Sequence, residues 1–245
     1  LIYDRVIPIG TGSHADVSVQ VTGDYGFARR INSVPLLGVE FAAGLIDHPI
    51  VFARQGTDLF PAALLGLRPD HNDHVAPDGS WRGGYLPAFL RRYPFVFSRE
   101  EGDPSDSFTL CIDESHPGFN REGRGDRLFD ADGKRSQYLE KALAFTSEFQ
   151  TQFHRTRLFC ERLQQLGLLD DAQARYRDSL GREGSMGGFA VINRARLKAL
   201  GKDDVRRMFQ TDQLDLCHAH LHSLQNILRL GEAARFGAGT DMRGA

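Results

Sequence analysis

Three histidines occupy alternate positions in the sequence CHAHLHSLQN, and imidazoles this close together could bind a metal ion or transfer a proton. A helix turns by about 100° per residue, so His218 and His222 share one face whereas His220 points about 200° away from His218. The pair has the i, i+4 spacing of zinc-binding histidines. The glutamate of an HExxH motif and an evident third ligand are both missing. His218 and His222 are therefore only weak metal candidates.

Two other stretches contain histidines beside possible ligands. GTGSHAD lacks the lysine and the glycine spacing of a phosphate-binding loop, so we expect a turn, with His14 as a further weak metal candidate. His71 and His74 alternate with Asp70 and Asp73 in a polar loop. This composition is more typical of a solvated loop than of a metal cluster. We expect no metal and no cofactor.

His220 differs from its neighbours because it lies within the apolar arc of the predicted helix. Leu214, Cys217 and Leu221 belong to that arc, and Ser223 lies at its edge. Two interpretations remain open. His220 is a core histidine whose nitrogens are satisfied by hydrogen bonds, or it is a desolvated acid–base or ligand-contacting group.

The largest concentration of apolar surface beside fixed charge is residues 81–97, WRGGYLPAFLRRYPFVF, which include the adjacent Arg91 and Arg92. A guanidinium in such surroundings favours bidentate carboxylate partners. Glu40, within VPLLGVEFAAGL, and Asp113, within CIDE, are acidic residues in apolar runs. We expect Arg91 and Arg92 to form buried or half-buried ion pairs with Glu40 and Asp113.

A second hypothesis makes the same side chains a binding or catalytic pocket. The arginines would hold a carboxylate or phosphate, and His220 would act as acid or base. This pocket would be lined by Tyr85, Arg91, Arg92, Asp113 and His220. A third hypothesis, a metal-dependent enzyme, would use His14, His218 or His222. The sequence contains no GxSxG motif and no complete dinucleotide fingerprint.

Composition narrows the class of protein. The 245 residues carry 30 Lys and Arg against 32 Asp and Glu, which gives no reason to expect nucleic acid as the main partner. The three cysteines, without a CxxC pair, favour buried thiols in a reducing compartment. We expect no membrane span, no signal peptide in residues 1–21 and a cytoplasmic location.

Hydrophobic periodicity predicts a strand-rich region over 1–133 and a helix-rich region over 134–236, followed by a frayed tail at 237–245. We expect one α+β domain over 1–245, with a largely antiparallel sheet in the first half and long helices from the second half packed on it. Strands are predicted at 5–9, 17–21, 25–29, 49–53, 61–67, 95–98, 107–113 and 187–192. Helices are predicted at 34–45, 85–92, 136–167, 194–200, 203–209 and 214–234.

The order of several motifs resembles the SapC family, named after a protein linked to bacterial surface-layer genes. The resemblance spans nearly the whole chain. It rests on VPLLGVEF (34–41), HPIVF (48–52), ALLGL (63–67), GYLPAFLRRYPFVF (84–97), CIDE (111–114), LFDADG (128–133), GGFAVI (187–192) and AHLHSL (219–224).

The resemblance implies an accessory or interaction protein of surface-layer or other cell-envelope systems, with no established catalytic residues to carry over. Partners would come from surface-layer, transport or oxygenase systems, because relatives are encoded near outer-membrane transporters and oxygenase-like proteins. The alternative is an enzyme or small-ligand binder accessory to an oxygenase or halogenase. The residues that match the family pattern are Glu40, Arg91, Arg92, Asp113, His220 and Ser223.

Overall fold

The computed structural model describes residues 2–56, 58–99, 108–177, 181, 183–230 and 235–238. Its strands are β1 (Val6–Pro8), β2 (Ser18–Val19), β3 (Ser33–Pro35), β4 (Ile50–Gln55), β5 (Asp58–Leu64), β6 (Phe95–Ser98), β7 (Thr109–Asp113), β8 (Phe119–Asn120), β9 (Asp126–Arg127), β10 (Leu169–Arg177), β11 (Glu183–Ile192) and β12 (Arg235–Ala238). Its α-helices are α1 (Thr11–His14), α2 (Phe41–Gly44), α3 (Ala88–Arg91), α4 (Gln137–Gln165), α5 (Arg194–Lys198), α6 (Lys202–Gln210) and α7 (Gln213–Ser223). Short 3-10 helices span Gly26–Ala28, Gly38–Glu40 and Leu224–Arg229.

The main sheet has six strands in the order β12-β10-β11-β4-β5-β3, and every pairing in it is antiparallel. Its strands come from both the region predicted to be strand-rich (1–133) and the region predicted to be helix-rich (134–236). The β4–β5 hairpin joins the two segments predicted as strands at 49–53 and 61–67, and its turn contains Gly56 at φ +60. The predicted class, α+β with antiparallel sheets, is confirmed.

Helix α4 is the longest element, with 29 residues, and its limits follow from local signals. Ser136 caps its first turn by accepting the Leu139 N–H at 3.2 Å. Gly167 adopts φ +61 just beyond its end, and the Leu168 N–H reaches the Leu163 carbonyl at 3.0 Å, as in a Schellman motif. The predicted helix over 136–167 is therefore confirmed.

Two three-stranded sheets flank the main sheet, with the orders β1-β7-β6 and β8-β2-β9. The segments predicted as strands at 95–98 and 107–113 form the antiparallel β6–β7 ladder. The start of that second segment, residue 107, lies outside the described residues. Apolar side chains of these sheets pack on the first turns of α4 around Leu128 and Leu139.

Two predictions for the first half are wrong in kind, and the helix predicted over 85–92 is only the single turn α3, which begins after Pro87. Residues 25–29 do not form a strand, because Asp24 Oδ1 accepts the Gly26 N–H at 2.7 Å and starts the 3-10 turn Gly26–Ala28. Residues 34–45 do not form one helix. Pro35 lies in the edge strand β3, where a missing N–H is tolerated, and only α2 with the preceding 3-10 turn is helical.

The last helix also ends earlier than predicted. Ser223 donates a hydrogen bond to the His220 carbonyl at 2.7 Å, and beyond it the chain tightens into the 3-10 helix Leu224–Arg229. Leu228 is therefore 65% exposed, whereas Ile227 is buried.

The helix itself was predicted to continue to Ala234, with a frayed tail over 237–245. Residues 231–234 and 239–245 lie outside the described residues. Arg235–Ala238 forms β12, which pairs with β10, so the predicted tail is not frayed over its first residues. No helix in the described ranges is long and apolar enough to cross a bilayer.

Candidate functional site

Glu40 is a buried carboxylate that accepts three hydrogen bonds. It is 3% exposed and ends the 3-10 turn that precedes α2. Its Oε1 accepts the Tyr85 hydroxyl and the Ala88 N–H, both at 2.7 Å, while Oε2 accepts the Leu37 N–H at 2.8 Å. The carboxylate therefore fastens the Pro87-capped start of α3 to the segment before α2.

Arg91 is linked to Glu40 only indirectly, through the Tyr85 hydroxyl, which accepts from Arg91 and donates to Glu40. The guanidinium donates to the Tyr85 hydroxyl at 3.3 Å and to the Leu86 carbonyl at 3.1 Å, and lies 5.4 Å from the Phe145 ring centroid. Burial, together with the hydrogen bond to Glu40, raises the pKa of Tyr85, so the phenol stays a proton donor to the carboxylate.

Arg92 points away from Arg91 into a group of aromatic rings, since consecutive residues of a helix diverge by about 100°. Its guanidinium carbon lies 4.3 Å from the Phe149 centroid, 4.7 Å from that of Phe89 and 5.8 Å from that of Tyr3. Neither arginine forms an ion pair with a carboxylate among the described residues. The expected pairs with Glu40 and Asp113 are absent there, because neutral donors already fill both carboxylates.

Asp113 ends β7 and is fully buried. It accepts the backbone N–H groups of Asp4 at 2.9 Å and Arg5 at 3.0 Å, the Ser115 hydroxyl at 2.6 Å and the Tyr93 hydroxyl at 3.3 Å. Burial alone would raise the pKa of this carboxyl, but these hydrogen bonds outweigh it and leave the pKa below its ordinary value. The charge holds the beginning of the chain against β7.

His220 and Ser223 join α7 to the main sheet, and both are fully buried. His220 Nε2 accepts the Ile192 N–H of β11 at 3.0 Å, and Ser223 Oγ accepts the Ile50 N–H of β4 at 2.9 Å. Since Nε2 is an acceptor, the proton of the neutral ring is on Nδ1. Burial lowers the pKa of His220 to about 3. The ring is buried and fixed through Nε2, as the first of its two interpretations expected, but Nδ1 is buried without a hydrogen-bond partner, so only one of its two nitrogens is satisfied.

The remaining histidine candidates are dispersed. His14 is buried and bonds the backbone of Gly10. His218 and His222 are exposed on α7. Within the part of the chain that the structure describes, no three His, Cys, Asp or Glu side chains are placed to hold a metal ion.

The loop predicted to be solvated is partly built into the fold. His74 stacks on Trp81 at a centroid distance of 5.2 Å and contacts His48 edge-on at 4.6 Å. His48 is fully buried, and its Nε2 lies 3.0 Å from the Tyr85 carbonyl. Burial lowers the pKa of His74 to about 4. Sequence reasoning missed this pair, although HPIVF contains His48.

The two arginines line different concavities, and neither lining includes Tyr85 or Asp113. Arg91 lines a cavity of about 320 Å³ between α3 and the β2 region. Its polar and aromatic lining residues include Asp24, Tyr25, Phe27, Tyr93, His116 and Tyr138. Arg92 lines an apolar groove of about 480 Å³ beside β3 and α4. Neither concavity includes His220.

His116 is the residue of this smaller cavity that sequence reasoning overlooked. Its Nδ1 accepts the Gly118 N–H at 3.1 Å, and its ring lies 5.3 Å from that of Tyr93. Burial lowers the pKa of His116, and the charge of Asp113 opposes that shift. The only sequence signal was its position three residues after Asp113, in a turn.

Fold and site together define a mixed α+β protein whose buried polar residues tie segments together beside two open concavities. The family model SapC matches residues 10–230. That is most of the chain, and the chain belongs to the SapC family. No curated protein and no solved structure matches it.

Proposed function

We propose that this chain is a non-catalytic accessory or interaction protein of a bacterial surface-layer or other cell-envelope system. Membership of the SapC family supports the assignment to such systems. A protein partner from a surface-layer, transport or oxygenase system would supply the activity that the chain assists.

The observation that carries the non-catalytic part is the state of the buried acid–base groups. Glu40 accepts two backbone N–H groups and a phenol hydroxyl, Asp113 accepts three backbone N–H groups and two hydroxyls, and His220 Nε2 accepts the Ile192 N–H. A general base must direct a free lone pair at its substrate. These three side chains direct theirs at the protein's own backbone.

We also propose a cytoplasmic location. Cys111, Cys160 and Cys217 are all free and buried, which suits a reducing compartment. A fractionation of the encoding bacterium tests this directly: the chain should follow a cytoplasmic marker enzyme, and recovery with periplasmic or surface markers would refute the location.

Deleting the chain from the bacterium that encodes it tests the accessory role. We expect a reduced amount of surface-layer or outer-membrane protein at the cell surface, measured by surface biotinylation and quantitative mass spectrometry and restored by the wild-type chain. An unchanged surface proteome in the deletion strain would refute the envelope role.

The cavity at Arg91 favours a second candidate, an enzyme or small-ligand binder accessory to an oxygenase or halogenase. It combines a cation, a half-buried imidazole and several phenols in one concavity, the residue types that bind an anion and move a proton. His116→Asn tests it, because asparagine can still accept the Gly118 N–H while it removes the titrating ring. If a stable H116N protein does not restore the surface proteome of the deletion strain, the enzyme is favoured. If H116N restores it fully, proton transfer by His116 is excluded.

A further inference from the structure

The groove at Arg92 places a single cation in an otherwise uncharged, mainly apolar wall. It lies between the edge strand β3 and helix α4. Its lining is Ile2, Ile31, Ser33, Val34, Pro35, Ala53, Gln55, Phe60, Ala62, Phe89, Arg92, Phe149, Gln150 and Phe153. Arg92 is the one charged residue in this lining, which contains no histidine, cysteine or carboxylate. The groove can therefore bind a ligand but offers no acid–base group of its own.

The electrostatic state of Arg92 indicates what is missing from the groove. The guanidinium lies over Phe149 and Phe89, and it forms no ion pair within the described residues. Its Nε is buried without a hydrogen-bond partner. Ring faces compensate a desolvated cation only in part, and a buried donor without an acceptor is costly. The guanidinium lines the groove, where an anionic oxygen would accept from its terminal N–H groups.

The shape of the groove indicates an elongated apolar body attached to that anion. Phe153 forms part of its wall and is 38% exposed to solvent. A second concavity of about 340 Å³ continues along α4 and shares Pro35, Gln55, Phe60 and Phe153 with the groove, but its lining includes the charged Asp58, Arg157 and Glu161, so the apolar path ends near Phe153.

We propose that this groove binds a long-chain aliphatic monocarboxylate, with its carboxylate at Arg92 and its hydrocarbon chain along Phe153 and Phe60 within the groove. Arginine is suited to bidentate carboxylate binding, and the volume is within the range of about 300–1,000 Å³ typical of small-molecule sites. The inference rests on the groove alone and does not depend on the accessory role.

Calorimetric titration of the purified full chain with sodium dodecanoate, below its micelle concentration, tests the proposal. We expect one site per chain and weaker binding of dodecanol, which lacks the charge. Each CH₂ that is added to a shorter carboxylate and buried should tighten binding about fourfold, from about 0.8 kcal/mol per CH₂.

Variants separate the groove from nonspecific binding. Arg92→Met keeps the aliphatic contacts with the rings and should weaken dodecanoate binding at least tenfold. Phe153→Glu, at a partly exposed position, should do the same by placing a negative charge in the wall. Arg155→Met, at an exposed position of the same helix outside the groove lining, should leave the affinity within twofold.

The proposal is overturned if the folded chain does not bind dodecanoate at millimolar concentration, if dodecanol binds equally well, or if R92M binds dodecanoate like R155M. A normal surface proteome in the deletion strain would refute the accessory role and leave this result unaffected, so the two failures can be told apart.

Discussion

Replacing Glu40 with glutamine should destabilise the protein more than any exposed Glu→Gln change, although the two side chains have nearly the same shape. The best glutamine rotamer keeps the amide oxygen at the Oε1 position, facing Tyr85 and Ala88, and places its NH₂ group against the Leu37 N–H, 2.8 Å from the former Oε2. Two donors then face each other in a site that is 3% exposed.

The magnitude follows from those three bonds. Leaving the buried Leu37 N–H without an acceptor costs about 1–3 kcal/mol, and the two remaining bonds weaken by about 1 kcal/mol each when their acceptor loses its charge. The lower desolvation cost of the neutral amide offsets part of this loss. We expect the free energy of unfolding to fall by about 2–4 kcal/mol, and the melting temperature by roughly 5–15 °C for a chain of this size.

Equilibrium unfolding in urea, followed by circular dichroism and extrapolated linearly, measures the change. Glu140→Gln is the matched control, because Glu140 is 55% exposed on α4 and lies 3.7 Å from Arg135. The control should change stability by less than about 0.5 kcal/mol. If E40Q were as stable as E140Q, Glu40 would not hold these segments together, and its place in the family pattern would need a functional reason.

Three further predictions concern the buried polar groups. Burial holds the folded-state pKa of His220 near 3, below its ordinary value of 6.5, so the unfolded chain binds the extra proton first. Stability should fall by up to about 1.4 kcal/mol per pH unit below pH 6.5 toward pH 3, and H220Q should show a shallower pH slope in urea titrations; equal slopes would contradict the assignment. Ser223→Ala leaves the Ile50 N–H without its acceptor and should cost about 1–3 kcal/mol in the same assay, whereas a loss below 0.5 kcal/mol would mean that water replaces the hydroxyl. Tyr85→Phe should couple to E40Q, with a double-mutant cycle giving about 0.5–3 kcal/mol; strict additivity would refute the 2.7 Å contact.

Elements with local signals could be predicted from the sequence. Helix α4 has a serine cap, an apolar stripe and a glycine at its end, and all three act within a few residues of the chain. The helical wheel likewise placed His220 inside and His218 and His222 outside. In these cases the helical repeat and signals within a few residues decide where a helix lies and which of its side chains are buried.

Elements set by distant partners could not be predicted. Residues 34–45 were predicted to form a helix from their local pattern. The pairing of β3 with β5, which makes their first residues a strand, depends on a segment about 30 residues away. The directions of Arg91 and Arg92 depend on a one-turn helix and on donors that fill Glu40 and Asp113 first. Charge alone suggested pairing with carboxylates, but neutral N–H and O–H groups reached those carboxylates instead.

The central claim, that this protein acts by binding and not by proton transfer, is tested most directly by complementing the deletion strain with two variants at equal cellular levels. The readout is the surface proteome, and the variants are His116→Asn and Arg92→Met. We predict that H116N restores the wild-type surface proteome and that R92M does not. Restoration by R92M together with failure of a stable H116N protein would contradict the account and would identify the Arg91 cavity as the working site.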